Sequence, residues 1–158
     1  MEKQIQVTRI FNAPVAMVWS LWVDPELVKK WWGPRHFTAP TALIDFRVGG
    51  KSVVSMMAPA EMGNRVFYNT WEYLKIDLFE RIEFLQSLSD PNGTTVDPVT
   101  LGMPPDFPKE FVTIITFRQV DPSTTEMTVT QHADMGAMSH FAQLGLEQSL
   151  DKMPFILG

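Results

Sequence analysis

Trp31-Trp32-Gly33-Pro34 and Arg47-Val48-Gly49-Gly50 are the stretches that decide how this chain folds. The first closes a short helix that Asp24-Pro25-Glu26-Leu27 begins, and the second turns one strand into the next. At Asp24-Pro25 the carboxylate can accept from an orphan N–H of the first helical turn. Proline there pre-sets φ, and its missing N–H costs nothing. Gly33-Pro34 cannot continue a helix, so the segment stops. Upstream, residues 3–11 alternate at Ile5, Val7 and Arg9 and then turn apolar, which predicts a half-buried strand. Asn12 is placed to cap a first helix with Pro14 in its first turn, and Val15, Val18, Trp19 and Trp22 recur at helical spacing.

After residue 37 the period changes from helical to two. In residues 42–48, Ala42, Ile44, Phe46 and Val48 share one face and Asp45 and Arg47 the other, with Gly49-Gly50 as the turn. Further strands are predicted over 52–58, 65–75 and 80–87. Phe67, Asn69, Trp71 and Tyr73 share one face of the 65–75 strand; Val66, Tyr68, Thr70, Glu72 and Leu74 share the other. The aromatic face makes the better inner wall, which turns Glu72 outward. In the 80–87 strand, Ile82 and Phe84 lie opposite Arg81 and Glu83.

Residues 88–109, with five prolines, two glycines and three aspartates, form a long loop. A surface insertion is favoured over a lid, because loop length costs little entropy. An antiparallel pair over 110–120 and 125–132 follows. A terminal helix then carries Met135, Met138, Ala142, Leu146, Leu150, Met153 and Leu157 at intervals of three and four, with Asp134 as its cap. Phe141 and Leu144 widen its apolar face, and Pro154 should kink or end it. Seven strands, two short helices after the first strand and a long last helix make an α+β arrangement. A strongly curved antiparallel sheet of this size can grip the helix.

The length of 158 residues suits one domain with a sizeable core. No apolar run approaches the roughly 18 residues that span a bilayer, so no membrane span is expected. The start lacks the apolar stretch of a signal peptide, and a cytoplasmic location is expected. The absence of cysteine removes disulfides, thiolate nucleophiles and cysteine metal sites. A net charge of −5 with no basic cluster argues against nucleic acid as a partner. Ten methionines and five tryptophans suit either a pliable cavity or a well-filled core.

Several pieces resemble the activator-of-heat-shock-ATPase-like branch of the START-like superfamily, also called SRPBCC, which includes birch-pollen-allergen-type proteins. They are Ala13-Pro14 with Val18-Trp19, Asp24-Pro25-Glu26-Leu27, Trp31-Trp32-Gly33-Pro34, Asp45 with Arg47, Gly49-Gly50, Glu72 with Glu80-Arg81, and Gly145 with Gln148-Ser149-Leu150-Asp151-Lys152. The resemblance spans nearly the whole chain. It implies a single helix-grip domain over 1–158, with a cavity between sheet and terminal helix. Members mostly bind apolar small molecules or lipids, some act on polyketides or related compounds, and some assist a chaperone. This chain departs from the pattern with Leu146 where tryptophan is usual, Leu78-Phe79 where a Pro-Pro pair is common, and a longer 88–109 loop.

No close histidine pair, serine-hydrolase elbow or phosphate-binding glycine loop occurs, so no catalytic residue, metal or organic cofactor is assigned. His36, His132 and His140 read as surface or packing residues. Asp45 and Arg47 read as a local ion pair, with Arg47 at a cavity rim as the alternative. Glu72 could act as an acid or base only if its face looked inward. One of Trp31 and Trp32 should anchor its helix to the sheet.

The function expected is binding of an apolar small molecule or lipid-like ligand. The candidate lining is Met56, Phe67, Trp71, Tyr73, Phe84, Ile115, Phe117, Met138, Phe141 and Leu146, with His132, Arg47 or Tyr73 orienting the ligand. The second reading is an interaction protein that activates a chaperone ATPase, against which stands the lack of a second module for a two-site grip. The third is a cyclase- or dehydratase-type enzyme acting in the cavity. Exposed Met and Trp are compatible with a homodimer.

Overall fold

The structure, a computed structural model, describes residues 3–157. Met1, Glu2 and Gly158, which the readings of the chain start and of a 1–158 domain include, lie outside the described residues. Seven strands form one antiparallel, curved sheet: β1 (Ile5–Phe11), β2 (Ala42–Leu43), β3 (Lys51–Met57), β4 (Val66–Asp77), β5 (Arg81–Ser89), β6 (Glu110–Asp121) and β7 (Thr124–His132). Their spatial order is β1-β7-β6-β5-β4-β3-β2, so the first strand in sequence lies beside the last. The alternation in β1 sets that register, with Val7 opposite Val129 and Ile5 opposite Gln131. The register shifts at Tyr73/Lys75 and at Gln119/Asp121 mark β-bulges, which add local twist and bend the long strands.

Two helices, α1 (Val15–Val23) and α2 (Pro25–Trp31), cross one end of the concave face. The Asp24 side chain accepts from the Glu26 N–H at 2.9 Å, and Pro25 opens the helix. Asn12 does not cap α1: the helix begins after Pro14 with no side-chain cap. Val18, Trp19, Leu21 and Trp22 of α1 are buried, together with Val28 and Trp31 of α2.

Two expectations about element lengths are corrected. Of residues 42–48 only Ala42 and Leu43 pair as a strand, opposite Val54 and Val53. Beyond them the Asp45 N–H turns to the Ser52 hydroxyl at 3.1 Å, so the backbone leaves the ladder despite its alternation. The turn at Gly49-Gly50 is present, and the two glycines pair with Tyr73. The terminal helix is not continuous. A 3-10 turn (Gly136–Met138) leads into α3 (Ser139–Leu150), and α4 (Met153–Leu157) follows a break at Asp151-Lys152. Pro154 explains the break, since its ring clashes with the carbonyl four residues earlier, at Leu150.

An aromatic core lies between α1, α2 and the sheet. Trp71 sits 5.3 Å from Trp32, 5.8 Å from Trp22 and 4.9 Å from Phe84, measured between ring centroids. The Trp31 indole donates to the Leu21 carbonyl at 2.7 Å and fastens α2 to α1. Trp71 and Tyr73 are buried and Glu72 falls on the opposite, outer face of β4, as the alternation requires. The Tyr73 hydroxyl meets Ser52 Oγ at 2.7 Å.

Burial pushes the Tyr73 phenol up to about 12, against the opposing effect of the Ser52 hydrogen bond. The unfolded phenol ionises near its ordinary value of about 10. From there to about pH 12 the folded chain therefore holds a proton that the unfolded chain releases. Stability falls through this window with a slope approaching ~1.4 kcal/mol per pH unit. Ultraviolet difference titration should show this tyrosine ionising only as the protein unfolds, and Tyr73→Phe should remove the steep alkaline loss. A Tyr73 titration completed near pH 10 in the folded protein would contradict its burial.

Candidate functional site

A cavity of about 490 Å³ lies at the other end of the concave face, between the sheet and α3. Strands β3 to β7 run from the aromatic core to this cavity, and each contributes to both. On β4, Phe67 and Asn69 line the cavity while Trp71 and Tyr73 fill the core. On β5, Gln86 and Leu88 line it while Ile82 and Phe84 are core. Phe111 of β6 and Gln131 of β7 line it, whereas Ile115, Phe117, Met127 and Val129 lie deeper in the core. Met56 of β3 completes the floor.

The roof comes from α3 and the turn before it, through Met135, Met138, Phe141, Ala142, Leu146 and Ser149. Trp32, Pro34 and Phe37 close the side next to α2. Gly33 has φ +105, and a Cβ there would crowd Phe37 Cβ at 3.1 Å and Met56 Cβ at 3.3 Å, so glycine suits this corner. The ammonium of Lys152, in the break between α3 and α4, ties the same corner down. It donates to the carbonyls of Gly33, Pro34 and Phe37 at 2.8, 3.1 and 3.2 Å. Burial lowers the Lys152 pKa, and these three carbonyls offset its lost hydration.

The 88–109 loop is not a surface insertion alone, because Met103, Phe107 and Pro108 form part of the wall. Two contacts hold the loop. Arg65, stacked 4.6 Å over the Phe67 ring, donates to the Leu101 carbonyl at 2.6 Å. The Asp106 carboxylate accepts from the Ala137 N–H at 3.0 Å, in the turn that opens α3. Gly136 leaves room for that carboxylate, which a Cβ would strike.

Five methionines and five phenylalanines contribute to the wall, and among the described residues no charged side chain does. The polar groups are the amides of Asn69, Gln86, Gln131 and Gln148 and the Ser149 hydroxyl. Ser149 donates to the Gly145 carbonyl at 2.9 Å, and Gln148 Oε1 accepts from the Arg35 N–H at 3.1 Å. The buried indole N–H groups of Trp32 and Trp71 have no hydrogen-bond partner among the described residues. Each unmade bond costs about 1–3 kcal/mol, which the surrounding aromatic packing must outweigh.

The structure thus brings five of the expected residues to the cavity: Met56, Phe67, Met138, Phe141 and Leu146. It places Trp71, Tyr73, Phe84, Ile115 and Phe117 in the core instead, each less than a tenth exposed. They point to the concave face, as period two requires, but sit beneath α1 and α2. The three orienting residues also lie elsewhere. His132 lines a groove on the outer face with Gln6, Thr8 and Arg81. Arg47 is exposed and paired with Asp45 at 2.9 Å, and Tyr73 is bonded to Ser52. Sequence reading missed Gln86 and Gln131 as site residues. Their signal was present, because each continues the phase of an apolar face (Ile82-Phe84-Gln86 and Met127-Val129-Gln131).

No curated protein sequence is significantly similar to this chain. A solution structure of a protein from Arthrobacter aurescens superposes with a TM-score of 0.81 at 22% identity, covering 98% of this chain and 85% of that one. A crystal structure of a protein from Mycobacterium smegmatis gives 0.76 at 23% identity, covering 98% and 90%. The AHSA1 protein from Silicibacter pomeroyi gives 0.76 at 14% identity, covering 98% and 97%. These likenesses establish the shared fold. No helix among the described residues is long and apolar enough to cross a membrane. A family model described as activator of Hsp90 ATPase homolog 1-like protein matches residues 12–158, nearly the whole chain, and the chain belongs to that family.

Proposed function

We propose that this protein binds an apolar, lipid-like small molecule between the sheet and α3, as a single-domain cytoplasmic carrier. The observation that carries the reading is a cavity of about 490 Å³ with a wall of methionine and phenylalanine. That volume falls in the range of roughly 300–1,000 Å³ typical of small-molecule sites. Methionine, unbranched and polarizable, lets such a wall adapt to the outline of its ligand. Burial of apolar ligand surface supplies the affinity. A cavity enzyme is a weaker reading, because no titratable side chain among the described residues stands in the wall to move a proton. A chaperone activator, the role its family's description names, would work through an outer surface and has no need of an apolar cavity this large.

Native mass spectrometry of protein purified gently from its own host tests the proposal. The expected spectrum shows a discrete added mass that solvent extraction releases as an apolar compound. Apo protein alone, together with no binding of an apolar fluorescent probe, would overturn it.

A further inference from the structure

The polar groups of the cavity floor form a row across four neighbouring strands. Thr113 of β6 donates its hydroxyl to Gln86 Oε1 at 2.8 Å, and Gln86 Nε2 donates to Asn69 Oδ1 at 3.2 Å. In this arrangement the Asn69 oxygen is an acceptor already in use. Its amide nitrogen, at the cavity end of the row, makes no hydrogen bond among the described residues. At the other end Gln131 lies directly opposite Thr113 on β7. Its amide also makes no side-chain hydrogen bond among the described residues. Asn69 is 6% exposed and Gln131 9%, and neither amide is sealed from the cavity as the Trp32 and Trp71 N–H groups are.

Both amides reach the cavity space, so an occupant of the cavity can take up their unused hydrogen-bonding capacity. The complement of a free N–H is an oxygen acceptor. A carboxylate does not suit, since the wall offers no cation and an anion buried there would stay unpaired.

We propose that the cavity selects neutral apolar molecules bearing a ketone-, ester- or amide-type carbonyl, held by the unpaired N–H groups of Asn69 and Gln131, over hydrocarbons and fatty-acid anions. The inference rests on the small-molecule reading above and names its ligand class. The two ends of the row stand three strand spacings apart, about 14 Å at the backbone. One short carbonyl compound therefore engages one end, and a longer ligand with two oxygen functions engages both.

The experiment measures displacement of an apolar fluorescent probe by dodecane, decyl methyl ketone and dodecanoate at neutral pH. The ketone is expected to bind about fivefold more tightly than dodecane, as one net hydrogen bond would give. It is also expected to bind more tightly than dodecanoate. In the double variant Asn69→Leu/Gln131→Met the ketone should lose its advantage over dodecane. Equal binding of all three competitors to the unaltered protein, or a preference for dodecanoate, overturns the inference and leaves the small-molecule reading standing. Failure of the probe and every competitor to bind overturns both. The comparison on the unaltered protein needs no variant, so a misfolded double variant does not shelter the proposal.

Discussion

Trp71→Ala is expected to lower folding stability by about 3–5 kcal/mol, the cost of truncating a large aromatic side chain in a packed core. Trp71 is 1% exposed and forms the hub of a ring cluster that joins β4 and β5 to both short helices through Trp22, Trp31, Trp32 and Phe84. Removing the indole strips contacts from all four neighbours at once, and rings held by α1, α2 and the sheet cannot collapse into the space together. Domains of this size are stable by about 5–15 kcal/mol, so the change takes about a fifth or more of the total. Urea unfolding of this variant beside Phe141→Ala makes the contrast. Phe141 lines the cavity mouth at 62% exposure, and its truncation should shift stability by about 0.5 kcal/mol or less. Equal midpoints for the two variants would contradict the division into core and cavity. The same division removes Trp71 from the ligand's reach, so any loss of probe binding in Trp71→Ala should follow the unfolded fraction.

Filling the cavity should have the opposite profile. Ala142 and Leu146 stand one turn apart on the face of α3 that roofs the cavity. The double variant Ala142→Trp/Leu146→Trp places two indoles into the space a ligand would take. Affinity for an apolar fluorescent probe should fall about a hundredfold or more, ~2.7 kcal/mol. Melting temperature should hold or rise, because the added rings cover apolar wall of the cavity. Undiminished probe binding by a folded double variant would place the ligand somewhere other than this cavity.

Most of the fold was legible because its signals are local. Asp24-Pro25 gives a helix start whose capping bond forms as expected, and the alternation of β4 turns Trp71 and Tyr73 inward and Glu72 outward. Where a local signal met a tertiary condition, reading failed. Residues 44–48 alternate like a strand, yet a strand exists only where a neighbour supplies partners. The apolar stripe of the last helix crosses a break imposed by one proline ring. The site suffered from the same gap. Period two says which face of the sheet a residue occupies but not how far along the strand the aromatic core ends. Phe67 and Tyr73 share a face of β4, and only the positions of α1, α2 and α3 above them decide that one lines the cavity and the other the core. The wall contributed by Met103, Phe107 and Pro108 had no sequence signal, because the loop reaches the cavity through the contacts of Asp106 and Arg65.

The first two turns of α3 have a thermodynamic consequence. From Ser139 to Gly145 no residue is buried, whereas Leu146, Ser149 and Leu150 are. This half of the helix roofs the cavity, and short helices in water depend on tertiary packing for their stability. On the proposed function, the ligand is the piece of hydrophobic core that the chain does not encode. Occupancy and folding are then linked quantities: a ligand at a hundred times its dissociation constant adds ~2.7 kcal/mol to the folded state. The amide protons of the first turns of α3 would carry the record of that occupancy in their exchange rates, opening freely in the empty protein and closing with the ligand in place.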